Sequence, residues 1–184
     1  MIASHAVRPG LCAGLLVLAG SVTGTGCTGV TTERDPSFDF ATVDTFAWRQ
    51  SPSFVADVRT ADDDLVLAEL ERTVNRRLAG LGKKLVTANP GIVVDARLQV
   101  TVEVQRNDPE WALYVAEKYE QAVLVLEFYD PSSRKSLWRA ECRDRLRYTA
   151  HGIGTTRVKF TPVDEPRMWH IADMVDRLVT QLEP

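Results

Sequence analysis

The sequence predicts an α+β fold: a four-stranded, mostly antiparallel sheet with two long helices on one face, in the order β-α-β-β-β-α. Three observations predict it. Leu67, Leu70, Val74, Leu78 and Leu81 form one apolar stripe at helical spacing, and Met168, Ile171, Val175, Leu178 and Leu182 form a second. Between them, Val94–Val104 alternates apolar with polar residues at strict period two, as a strand does with one face on a core and one in water. Turn sequences, Asn89-Pro90-Gly91 and Asp130-Pro131-Ser132-Ser133, separate that strand from the helix before it and divide the next two strands.

The elements follow in order. Asp35-Pro36-Ser37 is a turn; Phe38 and Phe40 alternate with Asp39, and Thr45-Phe46-Ala47-Trp48 is a β-rich run closed by Ser51-Pro52-Ser53. Helix one starts at the N-cap Thr60, with Asp62, Asp63 and Asp64 in the turn that the macrodipole makes favourable for acids. That triplet reads as capping, because no oxygen-ligand loop pattern accompanies it. Gly80 and Gly82 stop the helix. Strand two is the alternating run. Asn107–Glu120 reads as a short helix or ordered loop, with Trp111, Tyr114 and Tyr119 packing over the sheet. Ala122–Tyr129 is strand three. In strand four, Trp138, Ala140, Cys142, Leu146 and Tyr148 share one parity, while Arg139, Glu141, Arg143, Arg145 and Arg147 share the other. The arginine stripe is read as a solvated face paired across strands to Glu103 and Asp95, with an anion- or headgroup-binding face as the alternative. His151–Thr156 is a flexible loop and no phosphate loop. Helix two begins near Asp164, with Pro166 in its first turn.

Composition bounds the function. The chain has 184 residues, 45% of them hydrophobic and 26% charged, with net charge -3. This is an ordinary globular composition for one domain, and it lacks the basic footprint of a nucleic-acid binder. Three cysteines do not make a disulfide framework. Cys142 reads as a small buried hydrophobe.

The N-terminus gives an address. Arg8 precedes the apolar run Leu11–Gly20. As a helix, that run would rise only about 15 Å, too short to span a bilayer but of the length of a signal-peptide h-region. Gly24-Thr25-Gly26-Cys27 resembles the bacterial lipobox, in which a cysteine becomes the lipidated first residue of the mature chain. Residues 1–26 are therefore read as a lipoprotein signal peptide, 27–36 as lipidated Cys27 and a short tether, and 37–184 as one α+β domain. Several acyl chains on one cysteine make release negligible, at ~0.8 kcal/mol per buried CH₂. Thr28 lacks the aspartate that retains such proteins at an inner membrane, so the resemblance implies an outer-membrane anchor facing the periplasm.

Asp35-Pro36-Ser37-Phe38-Asp39-Phe40 followed by Thr45-Phe46-Ala47-Trp48 resembles the opening signature of a bacterial envelope lipoprotein family, catalogued as domain of unknown function four-one-three-six. Leu124–Asp130 and Leu137-Trp138-Arg139-Ala140 resemble a later pair of its motifs, with Glu127 where Asp is common and Ala140 where Gly is common. The similarity spans roughly Val30–Leu182. Asp35, Asp39, Phe40, Thr45, Phe46, Trp48 and Trp138 are the motif residues, and they are read as structural: a turn and core anchors.

No catalytic constellation is visible. The sequence lacks H-E-x-x-H, C-x-x-C and G-x-S-x-G, and no cofactor or metal is called for. The leading expectation is a non-enzymatic envelope lipoprotein, an adaptor or assembly subunit attached to the membrane through Cys27 and available to an envelope protein complex. The alternatives are a lipid- or small-ligand-binding module, using the open sheet face or the aromatic stretch, and a weak hydrolase.

Overall fold

A computed structural model describes residues 29–57, 63–106, 115–152 and 167–182. The fold is α+β with two helices, as expected, but the sheet is larger than predicted. It has seven strands: β1 (Val30–Arg34), β2 (Thr45–Trp48), β3 (Ser53–Ala56), β4 (Lys84–Leu85), β5 (Ile92–Arg106), β6 (Val115–Tyr129) and β7 (Ser136–Gly152). Helix α1 (Asp63–Gly80) lies between β3 and β4, and α2 (Arg167–Val179) follows β7.

The strand order is β1-β7-β6-β5-β2-β4, with β3 pairing along the same edge of β5 as β2. The pairs β1/β7, β7/β6 and β6/β5 are antiparallel. The pairs β2/β5, β3/β5 and β2/β4 are parallel.

Three expectations need correction. Residues 30–34, read as tether, form the edge strand β1. Alternation could not reveal it, because four of its five side chains are exposed and only Val30 is partly buried against the core. Residues Val115–Glu120, read as helix or loop, are the first part of β6, and β5 runs through Arg106 to meet them. His151 and Gly152, read as loop, end β7. Thr60, Trp111, Asp164 and Pro166 lie outside the described residues.

One core unites the elements. Val94, Ala96, Leu98 and Val100 of β5 are buried, as the alternation predicted, beside Ala122, Leu124, Leu126 and Phe128 of β6 and Trp138, Ala140 and Cys142 of β7. The helices supply Val66, Leu70, Val74 and Leu78 from α1 and Ile171, Met174, Val175 and Leu178 from α2, and they pack against each other. Leu70, Val74 and Leu78 are buried as the stripe predicts, and Val66 takes the place expected for Leu67.

Helix α1 ends in a Schellman motif. Gly82 adopts φ +78°, its N–H reaches Ala79 O (2.9 Å), and the Lys83 N–H reaches Leu78 O (3.0 Å).

A bulge changes the face rule in β7. The register shifts between Glu120 and Gln121, leaving Leu146 as the extra residue between Arg145 and Arg147. Tyr148, predicted to share the parity of Trp138 and Cys142, lies beyond this shift, and its side chain is outside what the structure describes. Asp144, which interrupts the apolar parity, accepts a bond from the Arg145 N–H (2.8 Å) beside the bulge and pairs with Arg177 of α2.

Candidate functional site

The motif residues converge at the start of the domain. Asp35 accepts bonds from the Ser37 N–H (2.8 Å) and hydroxyl (2.6 Å), and pairs with Lys135 of the β6–β7 turn. The Lys135 ammonium and these Ser37 donors hold its carboxyl well below the usual carboxylate range. The Asp35 N–H also donates to Leu137 O (2.9 Å). One aspartate thus fixes a turn and joins it to β7.

Asp39 caps a 3-10 turn over Phe40–Thr42, accepting from the Ala41 N–H at 3.0 Å. That turn replaces the strand start expected there. It drops the Phe40 ring onto Phe128, with centroids 5.9 Å apart, and Phe128 in turn packs on Trp138 at 4.8 Å. The Lys83 ammonium donates to Phe40 O (3.0 Å) and sits 4.6 Å from the centre of its ring. Thr45 O and Oγ1 both receive the Gly91 N–H, at 3.0 and 2.9 Å. A Cβ on Gly91 would stand 3.1 Å from Thr45 O, so a larger residue there would push this backbone contact apart by a few tenths of an ångström. Phe46 is fully buried.

The two motif tryptophans differ. Trp138 is 1% exposed. Trp48 is half-buried, and its indole N–H donates to Asn75 Oδ1 on α1 at 2.9 Å, which ties the first parallel strand to the helix. Cys27 lies outside the described residues.

A second cluster lies on the sheet face away from the helices. Asp95 of β5 and Glu127 of β6 are cross-strand partners, only 5% and 7% exposed. Like charges in that position repel, and two arginines offset the repulsion. Arg97 Nη2 donates to Glu127 Oε2 at 2.7 Å, while Arg49 Nη1 stands 3.9 Å from Asp95 Oδ2. The Arg49 guanidinium also lies 5.0 Å from the centre of the Tyr129 ring. Burial, reinforced by Glu127, pushes the Tyr129 phenol up, so it stays protonated at neutral pH. Asp95 Oδ1 is buried without a hydrogen-bond partner.

Arg49, Val93, Tyr129, Asp130, Pro131 and Arg134 line a cleft of about 320 Å³ beside this cluster. Asp130 serves the turn itself. Its carboxylate accepts from the N–H groups of Ser132 (3.0 Å) and Ser133 (2.6 Å) and from the Ser133 hydroxyl (2.9 Å), which holds its pKa down. The cleft therefore offers two guanidinium groups and an aromatic wall, suited to a small polar or anionic molecule.

Sequence reasoning missed this cleft. Arg49 follows the motif tryptophan and Tyr129 precedes the turn, but only the parallel pairing of β2 with β5 brings them together.

In the arginine stripe of β7, which the sequence reading pairs with Asp95 and Glu103 of β5, two members find their partner on their own strand. Arg139 and Arg143 share Glu141, at 3.2 and 2.9 Å.

Cys142 is fully buried, and burial pushes its thiol up to about 11. His151 stands nine positions farther along the same strand, roughly 30 Å at ~3.3 Å per residue, so the two do not form a nucleophile–base pair. Among the described residues no group of three or more His, Cys, Asp or Glu is placed to hold a metal ion.

Comparison with known proteins follows the same lines. In fold, the chain is similar to a neuraminyllactose-binding hemagglutinin homologue from Helicobacter pylori (TM-score 0.52, 13% identity, covering 78% of this chain and 84% of that one). It is also similar to a DUF4136 family protein from Bacteroides thetaiotaomicron (TM-score 0.48, 11% identity, 85% and 96% covered). A dodecameric PelC from Paraburkholderia phytofirmans matches with TM-score 0.47, 11% identity and coverage of 85% and 97%. No curated protein sequence matches the chain. The family profile described as domain of unknown function (DUF4136) matches residues 30–158, well over half of the 184 residues. The residues that fix the first turn, cap Phe40 and build the core around Trp138 all lie within that match, and the chain belongs to the DUF4136 family.

Proposed function

We propose that this protein is a non-enzymatic lipoprotein of the bacterial envelope, an adaptor or assembly subunit. Cys27 attaches it to the outer membrane, and its α+β domain faces the periplasm. The observation that carries this reading is the position of β1. The first strand among the described residues starts at Val30, three positions after the cysteine of the lipobox-like run. The motif residues support the non-enzymatic part, since their polar atoms are engaged in turns, caps and cross-links. Among the described residues no helix is long and apolar enough to cross a membrane, and a lipid anchor supplies attachment by another route.

Substitution of the acceptor tests the reading. Wild-type protein should incorporate a tagged fatty acid and fractionate with membranes, while Cys27→Ser should do neither. Equal labelling of the two proteins would overturn the anchor. Copurification of the wild type with an envelope complex would support the adaptor role.

The Arg49–Tyr129–Arg134 cleft favours a second reading, a small-ligand-binding module. A bound small molecule detected by native mass spectrometry, and lost in Arg49→Ala, would establish it.

A further inference from the structure

We propose that the ends of β5, β6 and β7 rest along the lipid surface that holds Cys27, with the open edge of β7 from Arg143 onward facing anionic headgroups. The proposal rests on the anchoring reading and adds the orientation of the domain to it. Three geometric facts carry it: the register of β1, the length of the strands beyond it, and the brevity of the link.

β1 is antiparallel to β7, with Val30 opposite Cys142 and Arg34 opposite Trp138. Traced backward from Val30, the chain leaves the sheet toward the Gly152 end of β7. Val30 stands three positions after Cys27, a reach of about 10 Å at most. From Cys142 to Gly152, β7 continues for ten residues, about 30 Å at ~3.3 Å each. β6 and β5 accompany it with continuous pairing as far as Val115 and Arg106. The strands therefore overshoot the anchored residue by about 20 Å.

A sheet standing upright on its anchor would drive that overshoot through the headgroups into a hydrocarbon core about 30 Å thick. The register forbids this. Val102, Glu120 and Arg147 form one row; Glu103, Tyr119 and Tyr148 form the next; then follow Val104, Lys118 and Thr149, and Gln105, Glu117 and Ala150. Successive rows belong to opposite faces of a sheet, so both faces carry ionisable residues. A membrane-embedded strand ribbon needs a lipid-facing side free of charge.

Past Cys142, moreover, the edge of β7 that β1 covers has no partner strand among the described residues. Open backbone groups are costly in hydrocarbon but solvated among headgroups. The strands must therefore tilt and run along the surface. Arg143 and Arg145 follow one another along this edge, where an anionic surface attracts them.

Site-directed quenching tests the orientation. Full-length protein carrying Thr149→Cys, and separately Ser132→Cys in the turn at the opposite end, is purified lipidated and labelled with a fluorophore. Buried Cys142 does not compete for the label. Each protein is placed in phosphatidylethanolamine–phosphatidylglycerol vesicles bearing nitroxide either at the headgroup or at mid-chain. The headgroup nitroxide should quench the label at 149, the mid-chain nitroxide should not, and neither should quench the label at 132. No lipid quenching at 149, or quenching there by the mid-chain probe, would overturn the proposal.

The intact mass of the same sample reports acylation of Cys27 independently. Should acylation be missing, a chain starting at Cys27 and joined there to a lipid thioester must give the same quenching pattern. The orientation follows from the register and the three-residue link alone.

Discussion

Asp35, Trp48, Trp138 and Cys142 show how much a single side chain decides in this domain. Trp138 sits against Phe128 in the centre of the core, and Trp138→Ala should cost ~3–5 kcal/mol. Trp48 is half-buried with one indole bond to Asn75. Trp48→Phe keeps the ring and loses that bond, so about 1 kcal/mol is expected. Urea unfolding of the two variants would show the order, and a larger loss from Trp48→Phe would contradict these roles. For Asp35 the folded-state pKa lies below its ordinary value. The stabilisation is therefore present above that value and is lost as pH falls through the acid range, below about pH 4. Asp35→Asn should lower the urea midpoint at neutral pH and reduce the difference between the neutral and acid midpoints. Cys142, buried with its pKa pushed up to about 11, should react with a thiol reagent at neutral pH only after denaturant unfolds the domain.

At the scale of elements, two joints hold the layers in place. Gly82 ends α1 at φ +78°, a conformation that costs an L-residue about 1–2 kcal/mol. Gly82→Ala should destabilise by that amount, whereas Gly80→Ala, where a Cβ meets nothing within 4 Å, should not. The second joint is Asp144 with Arg177, linking the β7 bulge to α2. A double-mutant cycle with Asp144→Asn and Arg177→Met should give a coupling of about 1.5–3 kcal/mol. A coupling near zero would remove this joint from the account. These elements also mark what was legible in the sequence. β5 and both helices were, because period-two and helical stripes survive wherever one face is buried. β1 and β4 were not, since they add to sheet edges with mostly exposed side chains and are fixed by backbone pairing. The first part of β6 was obscured by its polar residues. The motif turn at Asp35 was readable from local chemistry, whereas the cap at Asp39 was not, because Phe38 and Phe40 alternate around it as they would in a strand. The Arg49–Tyr129–Arg134 cleft was not, because Arg49 stands 80 positions before Tyr129 in the chain and meets it only through the parallel pairing of β2 with β5.

The whole molecule combines one core, motif residues engaged in structure, and a sheet whose first described strand starts three positions after Cys27. The proposed membrane tether is tested most directly by the chemistry at residue 27. The measurement is the intact mass of the protein extracted from membranes of cells expressing the full chain, with its N-terminal peptide. The account predicts a chain beginning at Cys27 and heavier than its sequence by a diacylglyceryl group and one further acyl chain. A mature protein that starts at another residue, or one that starts at Cys27 with the unmodified mass, would contradict it.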